Sequence, residues 1–140
     1  KPRHKVATFN CERRIFRHHQ MDCIFCKIVG KEISTEFAYE DDEMLAFKDI
    51  KPSAPVHYLL IPKEHIPSIA YVEVNNKDVV FKLILIAKKL AEGSGLKGYK
   101  LVFNVGREGG QIIDHLHLHL MGGWNNKTDI DAMSHPGLDK

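Results

Sequence analysis

His115-Leu116-His117-Leu118-His119-Leu120 alternates two residue types without a break. Successive side chains of a strand point to opposite faces, so three histidines share one face and three leucines the other. The leucine face is core. The histidine face presents imidazoles about 6.6 Å apart, from a rise of roughly 3.3 Å per residue. Such rings are costly to bury unless paired or used. Two active uses fit: three ligands to a metal, or a nucleophile or general base oriented by its neighbours. Satisfied histidines on a half-exposed sheet are the structural reading.

Just upstream lies Asn104-Val105-Gly106-Arg107-Glu108-Gly109-Gly110-Gln111, a polar, glycine-bearing turn. Missing Cβ atoms let backbone N–H groups approach an anion, and Asn104 and Gln111 add side-chain donors. That would serve a phosphate beside a histidine, although Gly-Gly turns are common between strands. Residues 99–105 read as a strand and 115–121 as the final one. Residues 75–92 read as a helix with Asn75 or Asn76 as cap and Gly93 and Gly95 as stops. Its apolar residues cover more than one face, which predicts a homodimer built partly on this helix. Val56 to Ile61, ended by Pro62, reads as a buried strand. Residues 37–40 and 44–48 flank the turn Asp41-Asp42-Glu43 as a hairpin. The mixture predicts an α+β domain with a mainly antiparallel sheet.

The chain has 140 residues, 44% of them hydrophobic, enough for one domain with a core. No apolar run reaches the roughly 18–20 residues that cross a bilayer. A net charge of +2 predicts neither a nucleic-acid nor a membrane partner. Residues 1–20 hold six basic side chains and one acid. They read as an upstream extension or a targeting leader, with Met21 following, and are set apart from the fold. A cytoplasmic protein is expected, or an organellar one if the leader is native. Three cysteines make no disulfide framework, and Cys23-x-x-Cys26 has metal or redox spacing.

With these residues in view, the chain resembles the histidine-triad family, in its nucleotide-binding Hint branch. The resemblance rests on His115-x-His117-x-His119-Leu-Met, Cys23-Ile-Phe-Cys-Lys-Ile, Phe47-Lys-Asp-Ile-Lys-Pro52, Ala54-Pro-Val-His57-Tyr-Leu-Leu-Ile-Pro-Lys63-Glu-His65, and Asn104 to Gln111. It covers about residues 22–124. It implies a five-stranded, mainly antiparallel sheet with one long helix, the sheets joined across a homodimer. The domain would span 21–124, with 125–140 a C-terminal tail after Trp124.

The resemblance also implies an activity: cleavage of the P–N bond of adenosine 5′-phosphoramidates, or of aminoacyl-adenylates, through a nucleotidyl-histidine. His117 would be the nucleophile, and His119 would donate to the phosphate or assist the leaving group. His115 and His57 would orient the cluster. Asn104, Gln111 and the Ile112 N–H beside Gly110 would hold phosphate oxygens, and Asp49 the ribose. Phe25, Ile28, Phe47 and Ile50 would form the base slot. Catalysis would require no cofactor. A structural zinc on Cys23, Cys26, His65 and His115 is implied by some members.

Two residues depart from the family pattern. Ile112 stands where phosphoramidases often carry Ser, which predicts persisting catalysis with an altered leaving-group preference. Asp114 stands where an apolar residue is common, and strand alternation points it away from His115. A nucleotide-binding or interaction module with vestigial hydrolysis is the alternative of a different class. A metallohydrolase is the third, and a dinucleoside polyphosphate hydrolase fits the Gly109-Gly110-Gln111 stretch less well.

Overall fold

The structure is a computed structural model, and it describes residues 22–125. The leader and nearly all of the expected tail lie outside the described residues. A short helix α1 (Ile24–Val29) precedes a hairpin of β1 (Phe37–Glu40) and β2 (Met44–Lys48). Then come β3 (Val56–Pro62), the long helix α2 (Lys77–Gly93), β4 (Tyr99–Val102) and β5 (Leu118–Gly122). All neighbouring strands are antiparallel, in the order β1-β2-β3-β5-β4. The expected five-stranded sheet with one long helix is present.

Asp41 closes the hairpin. Its Oδ1 accepts from the N–H groups of Glu43 and Met44, both at 2.7 Å, and its Oδ2 from the Tyr39 hydroxyl at 2.7 Å. A carboxylate bonding its own backbone two residues on is a strong turn former.

The strands then sort their side chains by parity. Met44, Ala46, Leu60, Leu118 and Leu120 pack with Leu83, Ile86, Ala87 and Ala91 of α2. Leu45, Phe47, Leu59 and Ile61 pack on the other face with Phe25 and Ile28 of α1. Helix therefore covers both faces of the sheet, which closes the core. The buried side of α2 leaves Phe81, Ile84 and Leu85 at 61%, 38% and 42% exposure.

Several boundaries differ from the sequence reading. Cys23-x-x-Cys26, for which no element was read, begins a helix, with the Cys23 Sγ accepting from the Cys26 N–H at 3.3 Å. Asn76 does not cap α2 with its side chain. Its Oδ1 accepts from the Glu73 N–H, in a reciprocal capping box around the single 3₁₀ turn Val74–Asn76. β4 ends at Val102, so Asn104 sits in a loop. β5 begins only at Leu118, because the Leu116 N–H is drawn to the Ile66 carbonyl, at 2.6 Å, outside the sheet. The alternation survives without the ladder: Leu116 still joins the core beside Leu118 and Leu120.

Candidate active site

Parity places the site. His57 on β3 and His119 on β5 share the α1 face, and the register pairs Leu59 with His119 and His57 with Met121. His57 and His119 are therefore diagonal neighbours, close enough for long or aromatic side chains to touch. His57 Nε2 lies 2.9 Å from His119 Nδ1. The His117 and His119 rings are 5.1 Å apart.

Hydrogen bonds with unambiguous partners set each tautomer, since a neutral imidazole carries one N–H and one lone pair. The Ser53 N–H donates to His57 Nδ1 at 2.9 Å, so His57 carries its proton on Nε2. That proton goes to His119 Nδ1, which leaves His119 protonated on Nε2. The His119 Nε2 is buried and has no protein partner among the described residues. His117 Nδ1 donates to the His115 carbonyl at 2.7 Å, leaving its Nε2 with a lone pair. His115 Nε2 donates to the Pro62 carbonyl at 2.9 Å, leaving its Nδ1 as the lone-pair atom.

Burial holds the rings neutral. It pushes His115 down to about 3 and His119 down to about 4, the latter helped by the neighbouring His117 and His57 rings. Burial also lowers His117 and His57, against the pull of the Asp49 carboxylate. Phe25 of α1 stands edge-on to the His117 ring at 5.3 Å and to Phe47 at 5.7 Å, which supplies much of the apolar wall.

A cavity of about 960 Å³ opens in front of these rings. Of the residues read from sequence, Phe25, Ile28, Phe47, Asp49, Ile50, Asn104, Gly110, Ile112, His117 and His119 line it. His57 stands behind His119. Asp49 Oδ2 is 3.4 Å from His57 Nε2, and Asp49 Oδ1 accepts from the Lys51 N–H at 2.9 Å. Gly110 has φ +92°, and a Cβ there would sit 3.8 Å from the Asn104 side chain. Leu59, Ile33, Phe37 and Ile113 also line the cavity and were not singled out from sequence. Leu59 was legible, being the β3 residue opposite His119 once the strands are paired.

Gln111 takes another role than the sequence suggested, whereas His115 sits where it was expected. Gln111 is 2% exposed and turned inward. Its Oε1 accepts from the Gly106 N–H, and its Nε2 donates to the Pro67 and Ile113 carbonyls, so both amide protons are used inside the protein. His115 orients His117 through its backbone carbonyl, while its ring turns to a separate cluster.

That cluster is Cys23, Cys26, His65 and His115, all buried. His115 Nδ1 lies 3.4 Å from Cys23 Sγ, 3.7 Å from Cys26 Sγ and 3.2 Å from His65 Nδ1. Tetrahedral zinc with bonds of about 2.0–2.3 Å separates its ligands by roughly 3.3–3.8 Å, so the spacing fits. The Pro62 carbonyl also fixes His115 in the tautomer that a ligand needs. Cys23 is a free thiol, its pKa raised by burial. Cys26 is disulfide-bonded in this structure, so the ligand set is complete once that sulfur is reduced. Asp49, His57 and His119 also approach one another. There the Ser53 N–H keeps the proton on His57 Nε2, which is the atom a metal would need.

Comparison with known proteins agrees with this geometry. Residues 22–133 match the family described as "Scavenger mRNA decapping enzyme C-term binding". Protein HitA of Neisseria gonorrhoeae is 48% identical over 102 residues, covering 72% of this chain and 95% of that protein. The purine nucleoside phosphoramidase of Escherichia coli K12 is 41% identical over 104 residues, covering 73% and 87%. A HIT family hydrolase from Legionella pneumophila superposes with a TM-score of 0.72 at 48% identity, covering 74% of this chain and 94% of that one. A zinc-bound histidine triad family protein from Mycobacterium smegmatis superposes with a TM-score of 0.69 at 28% identity, covering 76% and 78%. Among the described residues, no helix is long and apolar enough to cross a membrane. With its sheet order, its alternating histidines and nearly half of the aligned residues identical in such relatives, the chain belongs to the histidine-triad family of hydrolases.

Proposed function

We propose that the protein hydrolyses purine nucleoside 5′-phosphoramidates and related acyl-adenylates through a covalent intermediate on His117. One observation carries the reading: the His115 carbonyl holds the His117 proton on Nδ1, which leaves a neutral Nε2 lone pair in the cavity wall. The base would lie among Phe25, Ile28, Phe47 and Ile50, with the ribose on Asp49. The phosphate would then meet His117, the Asn104 amide, the His119 Nε2–H and the Ile112 N–H. Preorganised donors at the site of developing charge are the largest aid to such a transfer.

His117 Nε2 attacks phosphorus, and the P–N bond breaks with its electron pair going to the amine. The imidazolium so formed keeps its Nδ1–H on the His115 carbonyl. Ile112, 81% exposed at the cavity, has no hydroxyl, so solvent supplies the amine's proton. Water then attacks phosphorus, His117 leaves with its electron pair, and the nucleoside monophosphate is released. Splitting one difficult displacement into two is the advantage of covalent catalysis.

Zinc on reduced Cys23 and Cys26 with His65 and His115 would be structural, tying α1 to the histidine strand. Two copies would pair through Phe81, Ile84 and Leu85 of α2 and the outer edge of β4, where Tyr99 and Leu101 are exposed.

Acid-free quenching of the enzyme with a slow phosphoramidate, followed by intact-mass and peptide analysis, tests the covalent step. One nucleotidyl group on His117 is the expected adduct. A steady-state turnover with no adduct, or with the adduct on another residue, would contradict it.

A further inference from the structure

The loop from Gly106 to Asp114 carries a second layer of order that the proposed chemistry does not use. Arg107 Nη1 donates to the Gln111 carbonyl at 2.9 Å and to Asp114 Oδ1 at 2.7 Å. Its Nη2 donates to Asp114 Oδ2 at 3.0 Å. The guanidinium is thus held in a two-pronged carboxylate grip while it reaches one backbone carbonyl. Bidentate pairs of this kind add geometric definition as well as attraction. Both side chains are well exposed, at 63% and 65%, where an ion pair contributes little to folding.

The carbonyl it grips matters because a peptide unit is a rigid plane. The described residues have no cis peptide bonds, so the Gln111 C=O and the Ile112 N–H lie in one plane and point in opposite directions. Fixing the carbonyl toward Arg107 fixes the N–H away from it. Among the described residues the Ile112 N–H donates to no protein acceptor, although the preceding Gln111 N–H is spent on the Gly106 carbonyl at 3.0 Å. Ile112 itself lines the cavity that holds His117 and His119. The buried Gln111 amide anchors the same peptide from the inner side, through Gly106, Pro67 and Ile113.

We propose that Arg107 and Asp114 are positioning residues that aim the Ile112 N–H at the substrate phosphate. The proposal rests on the reading that the cavity binds a nucleotide's phosphate beside His117. Asp114, which strand alternation alone left without a role, holds Arg107; Arg107 holds the Gln111 carbonyl; and the planar peptide passes that constraint to the donor. The guanidinium's charge on the carbonyl also polarises the peptide and strengthens its N–H as a donor.

The test compares the two phosphorus diastereomers of an adenosine 5′-phosphoramidothioate, in which sulfur replaces one or the other non-bridging oxygen. Sulfur facing a well-aimed N–H weakens that hydrogen bond, so the wild type should prefer one diastereomer. Arg107→Ala should lower kcat/KM for the oxygen substrate about tenfold, mostly in kcat, and shrink the diastereomer preference several-fold. Its melting temperature should stay close to wild type. Asp114→Asn keeps the reach to Gln111 but loosens the grip, and should fall between the two in both readouts. Wild-type preference retained in both variants would overturn the proposal while leaving the nucleotide site standing. A rate loss matched by an equal loss of stability, with the preference intact, would make the pair merely structural and overturn it too. A wild type with no turnover of either diastereomer or of the oxygen substrate would take down the site reading and the proposal together.

Discussion

On the proposed reading, His117 owes its role as nucleophile to one carbonyl. The peptide oxygen of His115 takes its Nδ1 proton, and burial against Phe25 disfavours the charged ring. The sign of the consequence is fixed. A pKa lowered from 6.5 means that the neutral, reactive form persists as pH falls through 6.5 and is lost only below it. His119, at about 4, stays a neutral donor across the same range. The account therefore predicts that kcat/KM is flat from about pH 8 to about pH 6.5, with its acid limb below that value. Steady-state rates across that range check it, and an acid limb centred at about pH 7 or higher would contradict it. His57 follows the same logic one step removed, its tautomer set by the Ser53 backbone N–H. A backbone donor four residues away leaves no mark in residue identity, so no sequence pattern could have found it.

At the scale of elements, the loop between β4 and β5 is braced from within. Gln111 ties together Gly106, Pro67 and Ile113. Gln111→Ala removes three part-buried hydrogen bonds to the backbone, and should destabilise the fold by about 2–4 kcal/mol in denaturant unfolding, with turnover falling as the loop loosens. An unchanged unfolding midpoint with a raised KM alone would mean instead that the amide contacts substrate. From the sequence, a glutamine in a glycine loop reads as a ligand donor. Only packing reveals that Pro67 lies within reach of it. The hairpin shows the opposite case: residues 37–40 and 44–48 on either side of the acidic turn read as strands with the limits observed, because the stabilising contacts are local. α1 was not legible, since six residues are too few to show a helical period and its stability comes from Phe25 and Ile28 packing on the sheet. The histidine face was read correctly, although β5 begins at Leu118, because side-chain alternation continues in extended chain beyond the ladder.

For the whole molecule, the sheet parity sends leucines to α2 and histidines to α1, so one alternating stretch serves the core and the candidate site at once. The outer side of α2 remains apolar at Phe81, Ile84 and Leu85. If that face joins two copies, sedimentation should give about twice the 16.0 kDa chain mass, and Phe81→Lys should shift the population to monomer with its secondary structure retained. A wild type that sediments as one chain at micromolar concentration would contradict this. The central claim is that His117 does the chemistry and that any metal on Cys23, Cys26, His65 and His115 only supports it. Turnover of an adenosine 5′-phosphoramidate by wild type, by His117→Ala and by reduced wild type after chelation tests it most directly. The account predicts hydrolysis by wild type, a loss of at least about 10³-fold in His117→Ala, and turnover retained after chelation with a lower melting temperature. Turnover abolished by chelation in a protein still folded, or His117→Ala working at the wild-type rate, would contradict it.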